Sequence, residues 1–134
     1  MSRSLIPSSS PYADLIGFSR AVRIGNHVCI GGTAPIDKGG NTVGLNDPAA
    51  QAQQCIQTII HTLEVAGASL DDVVRTRVMV TDIKDWPKIA EVHGEYFKHI
   101  RPASTLFQVS RFINPEWLIE IEVDAIIDID RCID

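Results

Sequence analysis

Glu120, Glu122 and Asp124 alternate with Ile119, Ile121, Val123 and Ala125 near the C-terminal end of the chain. In an extended strand that spacing sets the acids on one face and the apolar residues on the other. A row of acids like this can simply form the solvated outer face of a sheet. It can equally pair with cations, and Arg75 and Arg77 alternate in the same way on an earlier segment. Both readings of these acids stay open on this pattern, as a solvated face and as partners of cations across a subunit interface. Other chemistries find no motif. His27, His61, His93 and His99 lack the spacing and the His-Glu-x-x-His setting of a helical metal site. Cys29, Cys55 and Cys132 form no Cys-x-x-Cys pair, so no metal or redox centre is expected. There is no Gly-x-Ser-x-Gly elbow. The glycine turn Asp37-Lys38-Gly39-Gly40-Asn41 lacks the Lys-Ser/Thr ending of a phosphate-binding loop and reads as plain connection.

Farther along, Arg101-Pro102-Ala103-Ser104-Thr105 is followed by Phe107-Gln108-Val109-Ser110-Arg111 and then by Ile119-Glu120-Ile121-Glu122. This succession resembles the C-terminal signature of the RidA family, also called YjgF or L-PSP, small proteins that hydrolyse reactive imines and enamines. The family pattern reads Pro-Ala-Arg-Ser/Thr, a short strand, a loop and Ile-Glu-Ile-Glu. The resemblance spans roughly residues 12 to 130, and its distinctive part is the C-terminal segment. It implies a trimer whose sheets pack inward and whose ligand pockets lie between subunits. It also implies that Glu120 holds the water attacking a C=N carbon, or returns a proton to nitrogen as ammonia leaves.

The same resemblance nominates binding positions, several of which depart from the pattern. Phe18, in Ile16-Gly17-Phe18, stands where a tyrosine is common; Gly31 stands at a frequent serine, Ala90 at a frequent asparagine, and Leu106 at a frequent cysteine. Ser104 occupies the position of the arginine that grips the substrate carboxylate. Guanidinium geometry makes a two-pronged pair that a single hydroxyl cannot. Arg101 and Arg111 are the neighbouring cations that can swing toward such a pocket, and Arg101 also reads as a helix-end cation complementing the macrodipole. His93 lies close to where relatives place pocket residues. No cofactor is implied, because a protonated imine is already electrophilic.

The elements that must position these residues are legible. Gly25-Asn26 separates Phe18–Ile24 from His27–Gly31 and suits a hairpin. Asp47 caps and Pro48 opens a helix that Gly67 stops, with Ala52, Ile56, Ile59, Leu63 and Ala66 as its apolar face. In the segment 74–81, Val74, Thr76, Val78 and Val80 alternate with Arg75, Arg77 and Met79. Asp85 is placed to cap a second helix carrying Ile89, Val92, Tyr96 and Ile100, ended by Pro102. Ser104–Ser110 and Trp117 to about Ile129 close the chain as strands. Helices too few to cover both faces of a sheet predict a two-layer α+β domain, with two helices on one face of a mixed sheet.

The chain of 134 residues suits a single domain, and 45% hydrophobic with 22% charged residues fits a globular protein. A net charge of −5 argues against nucleic acid as a partner, since phosphates call for clustered Lys and Arg. No apolar run is long enough to span a membrane, and residues 1–7 have no signal-peptide core, so a cytoplasmic location is expected. The functional expectation is a trimeric protein with a pocket for a small imine, enamine or carbonyl metabolite. Alternatives are a specialised enamine deaminase of the 2-aminomuconate kind and a non-catalytic binding scaffold.

Overall fold

Asp47 and Pro48 open the longest helix of the protein in a computed structural model that describes residues 2–128. In chain order the elements are β1 (Arg3–Ile6), α1 (Ala13–Ile16), β2 (Ala21–Ile24), β3 (His27–Thr33), α2 (Pro48–Val65), β4 (Val73–Val80), α3 (Trp86–Phe97), β5 (Ala103–Gln108) and β6 (Ile119–Ile126). Single 3-10 turns at Leu70–Asp72 and Ile83–Asp85 lead into β4 and α3. The sheet order is β1-β2-β3-β6-β4-β5, antiparallel except for the parallel pair β4 and β5.

Helix α2 forms where expected: the Asp47 carboxylate accepts from the Ala50 amide, and Gly67 takes the left-handed φ of 85° that a helix stop favours. Its buried face of Cys55, Ile56, Ile59 and Leu63 packs with Ile89, Val92 and Phe97 of α3 against one side of the sheet. That side presents Val78 and Val80 of β4 and Ile119, Ile121, Val123 and Ala125 of β6. The other face of β6 carries Glu120, Glu122 and Asp124, all half-buried. The result is the expected two-layer α+β fold.

Several boundaries differ from the sequence expectation. The strand expected from Phe18 begins at Ala21, and a further strand, β1, pairs with it. Val74 was expected to face the helices, but a register shift between Val73 and Arg75 turns Val73 inward and leaves Val74 exposed. A bulge resets the alternation by one residue. Asp85 stands at the N-cap of α3 without a side-chain bond; Asp82 makes the cap of the preceding turn, accepting from the Lys84 amide. Helix α3 ends at Phe97, whose carbonyl accepts from the Ile100 and Arg101 amides in a closing turn ahead of Pro102. The last strand runs Ile119–Ile126, later in its start than Trp117. Ile129 and Cys132 lie outside the described residues.

Candidate functional site

The site begins with a fault in the ladder between β3 and β6. Ile30 pairs with Val123 and Thr33 with Ile121, so Gly31 and Gly32 together oppose Glu122. Two residues against one is a bulge, and it opens the sheet beside the carboxylate of Glu120. A cavity of about 260 Å³ forms there. Phe18 and the backbone at Gly31 and Gly32 line it, together with Glu120, Arg20 and Trp117. Tyr12 meets Trp117 edge-to-face with ring centroids 6.1 Å apart, closing one apolar wall.

Glu120 is held in place from the helix layer. The side chain of Gln51, fully buried in α2, donates to the carbonyls of Gly44 (3.1 Å) and Glu116 (3.0 Å) and accepts from the Leu118 amide (2.8 Å). Those bonds fix the segment that enters β6. Burial, with the Glu122 carboxylate nearby as a second cause, pushes the Glu120 carboxyl up to about 7. A carboxyl at that value exchanges protons readily near neutrality.

Arg20 is the second charged group of the cavity and was not singled out from the sequence. It is 8% exposed, and its Nη2 donates to Ser9 Oγ at 3.2 Å. Burial lowers its pKa. One signal in the sequence points to it. It lies two residues beyond Phe18 in the short connection from α1 to β2.

The expected site residues separate into two groups. Phe18, Gly31 and Glu120 line the cavity; Ala90, Arg101, Ser104 and Leu106 do not. Ser104 pairs with Thr76, which pairs with Val123, so Ser104 belongs to the helix-covered side of the sheet. Glu120 pairs with Met79 and belongs to the opposite side. Strand β4 lies between β5 and β6, a separation of roughly 10 Å. Leu106 packs against the core from β5, while Ala90 and Arg101 are exposed, Arg101 at a φ of 55°. Arg111 is exposed and outside the cavity lining.

Ser104 has its own environment. The Thr76 hydroxyl donates to Ser104 Oγ at 2.7 Å and lies 2.9 Å from His93 Nε2. With its only proton committed to Ser104, Thr76 accepts from His93, which fixes the Nε2–H tautomer. Burial lowers the His93 pKa and favours that neutral ring. Ser104 is left with its own proton free to donate outward.

A third cluster joins His27, Cys29 and Asp124, whose ligand atoms lie within 4.8 Å of one another. Strand alternation brings the first two to one face, and pairing adds Asp124. The Asp124 carboxylate is 3.8 Å from Arg75 Nε and 3.6 Å from Arg77 Nη1. With two guanidinium groups already at its carboxylate, the cluster is explained by charge pairing and carries no metal assignment.

Residues 9–127 match the family model described as Endoribonuclease L-PSP. The chain is 36% identical over 117 residues to the 3-aminoacrylate deaminase RutC of Acinetobacter baylyi, covering 87% of this chain and 91% of that protein. It is 33% identical over 120 residues to the uncharacterised protein SCO2049 of Streptomyces coelicolor, covering 90% of this chain and 89% of that one. Among solved structures it superposes on Rv2704 of Mycobacterium tuberculosis, a YjgF/YER057c/UK114 family member, with a TM-score of 0.84 and 41% identity, covering 94% of this chain and 100% of that one. The YjgF gene product of E. coli superposes at a TM-score of 0.80 with 28% identity, covering 93% and 99%.

Proposed function

Because the chain belongs to the endoribonuclease L-PSP family, the group that includes RidA and YjgF, we propose that it is a hydrolytic deaminase of a small enamine or imine, with Glu120 as its proton-handling residue. The observation that carries this reading is a carboxyl raised to about 7 inside a small cavity. The likeness to a 3-aminoacrylate deaminase supports an enamine as the substrate class.

The chemistry asks little of the protein. An enamine first takes a proton from solvent on carbon to become an iminium. Water then adds to the C=N carbon, its proton passing to the Glu120 carboxylate as the C–O bond forms. Glu120 returns that proton to nitrogen, the C–N bond breaks with its electron pair leaving on ammonia, and the carbinol O–H gives its proton to solvent as C=O forms, which restores the proton taken up at carbon. One water is consumed, no electrons are transferred, and no metal or organic cofactor enters the balance.

Ser104 and its Thr76 and His93 partners belong, in this reading, to a second wall supplied by another copy in a homotrimer. A hydroxyl there does not hold a carboxylate attached directly to the C=N carbon as an arginine on that wall would, so ordinary 2-imino acids should be poor substrates. That same position favours one competing reading, a scaffold that binds a metabolite without turning it over. RNA cleavage, the activity in the family's description, draws no support from a net charge of −5.

The test is ammonia release above the uncatalysed rate, from 3-aminoacrylate and from 2-imino acids generated in place by an amino-acid oxidase. Glu120→Gln should abolish whatever activity the wild type shows. Turnover of none of these compounds by a folded wild type would leave the binding scaffold as the better reading.

A further inference from the structure

An arginine only 8% exposed calls for a counter-ion or a full set of acceptors for its guanidinium. Among the described residues the ion pairs are those of Asp124 with Arg75 and Arg77, so Arg20 has no carboxylate partner. Its hydrogen-bond acceptor is Ser9 Oγ, whereas a guanidinium carries five N–H donors. No buried side-chain nitrogen of the described residues is sealed away without a bond. The remaining Arg20 donors are therefore not fully sealed, and Arg20 lines the same cavity as Glu120 and Phe18 as well as a second hollow beside α2.

We propose that Arg20 is the anion anchor of this cavity, gripping the carboxylate of a short-chain substrate and setting its reacting carbon against Glu120. Three observations converge on this assignment. The cation lacks an anion, it shares a cavity with the proton-handling carboxyl, and Ser104 leaves the opposite wall without a guanidinium. A planar carboxylate matches the guanidinium fork and would replace the missing counter-charge. At about 260 Å³ the cavity admits a small molecule only. The apolar walls from Tyr12, Phe18 and Trp117 suit a short carbon chain between the charged head and the reacting end. That the anion is a substrate rests on the deaminase reading; that Arg20 binds it does not.

Butyrate and butyramide, unreactive and nearly equal in shape, separate charge from fit. In calorimetric titrations of the full-length wild type, butyrate should bind at least about tenfold more tightly than butyramide. The Arg20 Nε–H resonance should shift with butyrate and stay put with butyramide. Arg20→Gln should erase the preference and Arg20→Lys should keep part of it. Equal binding of the two ligands by the wild type, or an unmoved Arg20 resonance, overturns the anchor even if both variants fail to fold. A folded Arg20→Gln that retains the preference overturns it as well. Ammonia release separates this proposal from the one it builds on. Arg20-dependent butyrate binding without any deamination removes the enzyme and leaves the anchor. Deamination undiminished in Arg20→Gln removes the anchor and leaves the enzyme.

Discussion

A Cβ placed on Gly32 would lie 2.5 Å from Oε1 of Glu120. The glycine is thus matched to the carboxylate, since any side chain at position 32 occupies the space where that oxygen rests. The clash falls on the free end of a flexible side chain and leaves the backbone unstrained.

Gly32→Ala should therefore fold and lose activity. Displacing the proton-handling oxygen by about an ångström is expected to lower kcat/KM for enamine hydrolysis by roughly a hundredfold. The thermal midpoint should move by only a few degrees. A variant as active as the wild type would show that Glu120 does not act from this position.

Glu120 also sets two pH dependences of known sign. In the proposed reaction Glu120 must be ionised to activate water, so kcat/KM should rise with pH and level off above about 7. For stability, the folded carboxyl titrates at about 7 against a reference of 4.5, so between those values the folded state holds more protons than the unfolded state. Its contribution to stability therefore declines as pH rises through that window. Glu120→Gln removes the decline. Urea melts should find the variant more stable than the wild type at pH 8, by roughly 1–2 kcal/mol once partial solvation is allowed for, and level with it near pH 4.5. A difference independent of pH would contradict the raised pKa.

Thr76→Val keeps the shape of a fully buried residue and removes the hydroxyl that joins Ser104 to His93. Leaving the His93 N–H without an acceptor should cost about 1–3 kcal/mol in urea unfolding. The imidazole nitrogen resonances should report altered tautomer populations. An unchanged imidazole would mean that Thr76 does not accept from Nε2.

Light scattering should give three times the 14.7 kDa chain mass, because the acid-bearing face of the sheet is left without a covering layer and the family resemblance implies a trimer. Asp124→Arg gathers three cations where Arg75 and Arg77 now have a carboxylate, and should dissociate the assembly. A monomer mass for the wild type at micromolar concentration counts against the second-wall role of Ser104.

What could be read from the sequence was local and periodic. Helix α2 announced itself through Asp47, Pro48, Gly67 and its apolar spacing, and the alternation about Glu120 gave β6 its two faces. The bulge at Val74 was not legible, because the residue types around it keep their alternation, and Gly31-Gly32 signals that a strand can bulge without saying which residues pair across it. Both are settled by pairing with β6, a strand distant in the chain. Glu120 was found through resemblance, since alternation alone left it indistinguishable from Glu122. Arg20 escaped notice for a different reason. An arginine beside a strand looks solvated until the N-terminal segment folds over it, and Ser9, its acceptor, belongs to a stretch with no periodicity at all.

The placement of Ser104 and Glu120 on opposite sides of the sheet makes that sheet a partition. Among the described residues no hydrogen bond joins the Ser104 group to Glu120, and the backbone of β4 lies between their strands. Natural variation can therefore rewrite the surroundings of Ser104 without repacking those of Glu120, and the reverse. Two such half-sites can drift apart in chemistry while the fold between them stays fixed. An arginine could leave one side of this chain at no structural expense to the carboxyl on the other.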